Sequence, residues 1–166
     1  FYAVDGSRRL LAYEKQSDAA LAAVSPNGRY AAAVYSGGEV KVYDLADGSL
    51  LLEATLPTQP CNICLDSEAR LYALAGSATC YTLYVVDSEG YETYFLPSGP
   101  GAEASLEAEG DKVLVALPHS VSLFEGGELS WTATGSYTDA CLASGEVLAM
   151  GRGGLYLVDE EGALQL

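Results

Sequence analysis

An all-β fold of repeated four-stranded antiparallel units is predicted from three observations. Apolar residues alternate at a spacing near two rather than 3.6. Short turns carrying glycine and an acid interrupt them at regular intervals. The interruptions themselves repeat with a period near forty residues.

The first repeated element is an apolar strand, an acid, a turn with glycine, and a second strand. It reads Tyr2-Ala3-Val4-Asp5-Gly6, then Val42-Tyr43-Asp44 leading to Gly48. It returns at Val85-Val86-Asp87 to Gly90, Leu123-Phe124-Glu125 to Gly127, and Leu157-Val158-Asp159 to Gly162. The acids are separated by 39, 43, 38 and 34 residues. Each copy is a hairpin whose glycine can take a positive φ. A second hairpin alternates with it: Leu21 to Val24, the turn Ser25-Pro26-Asn27-Gly28, then Arg29 to Tyr35. Its equivalents lie around Asp66 to Ala69, Glu109-Gly110 and Ser144-Gly145. Gly28 and Gly110 are 82 residues apart, and Ala69 stands at the midpoint.

Two hairpins per unit give four strands, here called a to d, and units of this size are those of propeller blades. The expected organisation is a single β-propeller domain over 1–166, with four-stranded antiparallel blades at 19–56, 60–97, 100–134 and 137–166. Residues 1–15 match only strands c and d of a further, partial blade. Four blades and a hairpin do not make a tidy ring, and the chain starts inside a strand, so the expectation is an incomplete propeller with blades missing upstream. A sheet left bare on the flank would invite cover from a second copy, which makes a homo-oligomer an option.

Ser25-Pro26-Asn27-Gly28-Arg29-Tyr30, with Gly37-Gly38-Glu39-Val40-Lys41-Val42-Tyr43-Asp44-Leu45 and Asp47-Gly48-Ser49-Leu50, resembles a WD40-type blade. That family has a "SPDGR" turn, a "DGTVRVWDL" strand and a "TGKLL" turn in this order. Tyr43 replaces the family's Trp, and the Gly-His dipeptide before strand a is absent, so the family's His-centred network is not expected. The resemblance is to divergent bacterial propellers, with quinoprotein-type propellers as relatives through Leu129-Ser130-Trp131. The compartment is left open, with the cell envelope or extracellular side of a bacterium slightly favoured over the cytoplasm because the chain starts inside a strand.

Composition narrows the partners. Hydrophobic residues make up 49% of the chain and charged ones 19%, a composition that folds. With 23 acids against 8 bases the formal net charge is -15, which repels phosphate and speaks against nucleic acid or an anionic membrane as partner. No apolar run reaches the roughly 18 residues of a membrane-spanning helix. The acids concentrate in the a–b and c–d turns, among them Asp44, Asp47, Asp66, Asp87 and Asp159, which an up-and-down meander places on one face. Asp is a good turn former, and no calcium-type spacing is present, so no metal is assigned.

Cys61-Asn62-Ile63-Cys64 has the C-x-x-C spacing of redox and zinc sites. The repeat alignment puts Cys64 level with Ala23, Ser105 and Cys141, where small residues pack in strand a. Cys64 and Cys141 are therefore expected to be buried, reduced and free of metal. Gly151-Arg152-Gly153-Gly154 precedes a strand rather than a helix, so it reads as a b–c turn and not a phosphate loop.

The face bearing the b–c turns and the links between blades is less acidic. It carries His119, Arg152 and Tyr137, which are the candidate binding residues. Propellers of the resembled kind commonly dock partners there. The readable strand-a residues, such as Leu21, Ala23, Ile63 and Leu106, are small or apolar, which favours recognition over catalysis. The expected function is a non-catalytic interaction or ligand-recognition scaffold, with a protein as partner and no cofactor. The alternative is a propeller enzyme, quinoprotein-like or glycosidase-like, with its site in the central channel.

Overall fold

The structure is a computed structural model that describes residues 2–4, 10–13, 18–77, 80–97 and 104–166. A hairpin of β1 (Tyr2–Val4) and β2 (Leu10–Tyr13) opens the chain. The packing of this hairpin on the first sheet lies outside the described residues. Four antiparallel meanders come next. The first sheet holds β3 (Ala19–Val24), β4 (Tyr30–Tyr35), β5 (Glu39–Asp44) and β6 (Leu50–Thr55). The second holds β7 (Asn62–Leu65), β8 (Leu71–Ser77), β9 (Cys80–Asp87) and β10 (Gly90–Pro97). The third holds β11 (Ser105–Glu109), β12 (Lys112–Leu117), β13 (Ser120–Glu125) and β14 (Glu128–Thr134). The fourth holds β15 (Tyr137–Ala143), β16 (Glu146–Gly151), β17 (Gly154–Asp159) and β18 (Gly162–Gln165).

The first strands of consecutive sheets adjoin one another, β3 to β7, β7 to β11 and β11 to β15. The sheets thus stack face to face around an axis, but the four do not close into a ring. Three apolar clusters fill the gaps between them. Val34, Val40 and Val42 meet Ile63, Leu65 and Val86. Tyr72, Leu83 and Val85 meet Val113, Val115 and Phe124. Leu114, Val121 and Leu123 meet Leu142, Val147 and Val158. Each fully buried aliphatic side chain contributes about 1.5–3 kcal/mol.

Burial explains why only some strands alternate in sequence. β4, β12 and β13 are central in their sheets and covered on both faces, so Ala31-Ala32-Ala33-Val34 is apolar throughout. The edge strand β11 alternates, with Leu106 and Ala108 packed against the second sheet and Ser105, Glu107 and Glu109 exposed. Glu107 and Glu109 reach the fourth sheet instead. Their carboxylates accept the N–H groups of Leu142 and Gly145, both at 2.9 Å.

The turn aspartates hold the hairpins together. Asp47 accepts the N–H of Ser49, Asp87 those of Glu89 and Gly90, and Asp159 those of Glu161 and Gly162. These three are exposed, whereas Asp44 and Asp66 are buried. Asp66 is fully buried; its Oδ1 accepts the N–H groups of Glu68 and Arg70, and its Oδ2 pairs with Arg70 at 2.8 Å. Asp44 pairs with Arg29 at 3.0 Å. A carboxylate that completes a turn and also meets a guanidinium is better placed inside than in water.

Cys64 is buried among Tyr72 and its neighbours, and burial pushes its thiol pKa up. Cys141 corrects the other half of the expectation, because it is exposed. It points away from the third sheet, in a cross-strand row with Leu148, Leu157 and Leu164. The matching row of the third sheet, Glu107, Leu114, Leu123 and Trp131, is capped by the fourth. No sheet caps the fourth among the described residues, so Met150, Leu155 and Leu164 stay exposed.

Candidate functional site on the link-bearing face

The turns β12–β13 and β16–β17 and the link β14–β15 emerge on one face, as the meander requires. Between the third and fourth sheets they line a half-open cavity of about 870 Å3. His119 lies at the tip of the first turn, Arg152 at the tip of the second, and Tyr137 at the head of β15; all three line the cavity. Ser105, Ser136, Thr138 and Asp139 add polar groups, and Ala116 and Pro118 supply the apolar wall; Ala104 and Leu117 border it with their side chains packed toward the second sheet.

The walls are braced by backbone bonds. Gly135 N–H donates to the carbonyl of His119, and Tyr137 N–H to that of Pro118, both at 3.1 Å. These bonds tie the link to the turn and fix the imidazole's attachment. Opposite, the Gln165 amide donates to the Gly153 carbonyl at 2.7 Å, holding the turn that carries Arg152. A bulge interrupts the β15–β16 register between Tyr137 and Asp139. The unpaired Thr138 bonds sideways through its hydroxyl to the Met150 carbonyl at 3.2 Å. Such bulges re-aim side chains at sheet ends.

Tyr137 is itself largely buried, and desolvation, with Tyr156 nearby, raises its phenol pKa. Its ring lies over Gly135: a Cβ there would come within 2.5 Å of the ring. Glycine at 135 is thus the local reason that the tyrosine can fold back as a wall.

The charges are distributed unevenly. Among the described residues Arg29, Lys41, Arg70 and Lys112 each pair with a carboxylate. Arg152 has no carboxylate within salt-bridge distance among them. Asp139 is exposed in the same lining, with one oxygen accepting Ala140 N–H at 2.9 Å.

The three residues singled out from the sequence are therefore brought together. Asp139, Ser105 and Thr138 were not foreseen as part of the group. Their signal is positional: each stands within two residues of a strand start that follows a link, hence at the cavity mouth.

Four-stranded meanders stacked face to face around an axis define the β-propeller fold, and this chain has it. Solved structures similar to it are WD40 and other propellers. The β-propeller domain of Myceliophteria thermophila Cps50 (Swd1) is 16% identical with a TM-score of 0.55, over 92% of this chain and 58% of that one. BamB from Moraxella catarrhalis is 14% identical with a TM-score of 0.55, over 84% of this chain and 49% of that one. The dihydro-heme d1 dehydrogenase NirN is 14% identical with a TM-score of 0.59, over 98% of this chain and 40% of that one. The chain thus spans between 40% and 58% of these structures, and the similarity establishes the fold alone. By sequence, no protein-family profile and no curated protein matches it.

Proposed function

We propose that the chain is a non-catalytic recognition module whose partner, a protein, engages the cavity between the third and fourth sheets. The observation that carries this reading is the convergence of His119, Arg152 and Tyr137, from two turns and a link, on one concave and partly apolar cavity. A concave site with a few placed polar groups on rigid elements is the usual form of a recognition site. The acidic remainder of the surface disfavours nucleic acid.

The alternative is an enzyme working in the central channel, beside the inner strands β3, β7, β11 and β15. The two readings separate in one measurement. Backbone amide NMR shifts are followed against a library of short peptides. Binding shifts confined to residues 104–105, 116–119, 136–139 and 152 support the module. Shifts confined to the inner strands, together with turnover of a ligand, would favour the enzyme.

A further inference from the structure

We infer that the group this cavity takes is the free C-terminal carboxylate of a peptide whose last side chain is apolar. This rests on the recognition reading above and names the chemistry of its partner.

Arg152 carries the argument. In a chain of 23 acids and 8 bases, most cations are expected to be claimed by carboxylates, and four of the described ones are. Arg152 stands on a braced turn at the cavity edge, with its guanidinium unclaimed by any described acid. A planar guanidinium binds a carboxylate through two parallel hydrogen bonds. His119, at the tip of the other turn, lines the same cavity and can add a ring N–H.

The rest of the lining chooses among carboxylates. Ala116, Pro118 and Tyr137 offer an apolar wall that suits an aliphatic or aromatic side chain. Ser105, on the side of β11 from which Glu107 reaches the fourth sheet, keeps a hydroxyl oxygen that can accept an N–H group. A peptide end presents a carboxylate, an apolar side chain and a backbone N–H within one residue; a simple fatty acid lacks the last. The net charge of -15 acts at longer range and repels polyanions, so a ligand with a single negative charge is favoured over an acidic run or a phosphate-rich one.

The test uses N-acetyl-Ala-Ala-Leu as free acid, the same peptide as C-terminal amide, and hexanoate, each titrated into the chain by NMR. The acid is expected to shift the amides of Tyr137, Asp139 and Arg152 and to bind at least roughly tenfold more tightly than the amide, the scale of one charge-assisted bond. Hexanoate is expected to bind more weakly than the peptide acid. Arg152→Gln should abolish the advantage of acid over amide, while Arg152→Lys should retain part of it. Arg152 is exposed on a turn, so both variants should give the parent spectrum outside the cavity. Equal binding of acid and amide within the cavity would overturn the carboxylate inference while sparing the recognition reading. Hexanoate binding as tightly as the peptide acid would overturn the peptide end as its source. Absence of shifts in the cavity at millimolar concentrations of all three probes would sink both.

Discussion

Ala69 shows how a single backbone angle constrains the sequence. The turn that joins the first two strands of each sheet needs one residue in the left-handed region. Gly28, Gly110 and Gly145 supply it with φ of 69°, 64° and 80°. The second sheet places Ala69 there with φ 70°. A Cβ in this region costs about 1 kcal/mol, partly offset in glycine by the entropy of its unfolded chain. Ala69→Gly is therefore expected to raise stability by up to about 1 kcal/mol, read from the urea midpoint at constant slope. The cysteines give a second prediction at this scale. Cys61, Cys80 and Cys141 are exposed and Cys64 is buried. A thiol reagent should label the first three rapidly in the native state and Cys64 only after unfolding. Fast labelling of Cys64 would mean that the second and third sheets are not packed as described.

At the scale of the element, several hairpins are held by an aspartate at the turn, and the two buried aspartates differ in weight. Asp66 is wholly enclosed and satisfies two N–H groups and Arg70. Removing it takes the acceptor from the two N–H groups and leaves Arg70 with Glu68 alone. Asp66→Ala is expected to cost about 3 kcal/mol. Asp44 meets Arg29, whose side chain is 58% exposed, so its ion pair is screened by solvent. Asp44→Ala should cost less, about 1 kcal/mol, through the lost Ala46 N–H bond and turn. Thermal or urea unfolding of the two variants in parallel checks the order. Equal losses would show that burial is not what distinguishes the turns.

At the scale of the whole molecule, charge and the open flank matter together. Many exposed acids remain on a chain of net charge -15, and self-repulsion destabilises the compact state. The melting temperature is expected to rise between low salt and physiological salt, where the Debye length is about 8 Å. Calcium should add little beyond its ionic strength, because no three potential ligands cluster among the described residues. A saturable gain at low calcium would contradict this. The fourth sheet's outer face presents Leu148, Leu157 and Leu164 in one row and Met150 and Leu155 beside it. An apolar-surface dye should bind there in the isolated chain, and Leu157→Thr with Leu164→Thr should reduce that binding without shifting the melting temperature by more than a few degrees.

The repeat is local chemistry, which is why it could be read directly. A turn needs Asp and Gly at fixed offsets, and an edge strand needs alternation, so hairpins at Asp44, Asp87, Glu125 and Asp159 are visible in the chain itself. The face shared by His119, Arg152 and Tyr137 was also legible, because connection parity in a meander puts every b–c turn and link on the same side. Burial was not legible. Cys64 and Cys141 occupy equivalent strands, yet one is enclosed and the other exposed, since burial depends on whether a further sheet lies alongside. Asp66 and Asp159 have the same local turn role, yet only Asp66 meets an arginine inside the fold. The cavity and the unclaimed guanidinium at its edge arise between two sheets whose lining residues are more than thirty residues apart in places, such as Ser105 and Asp139. Sequence determined the hairpins and their order along the chain; only the stacking of one sheet on the next decided which side chains meet water and which meet each other, because that contact is made by residues with no local relation in the chain.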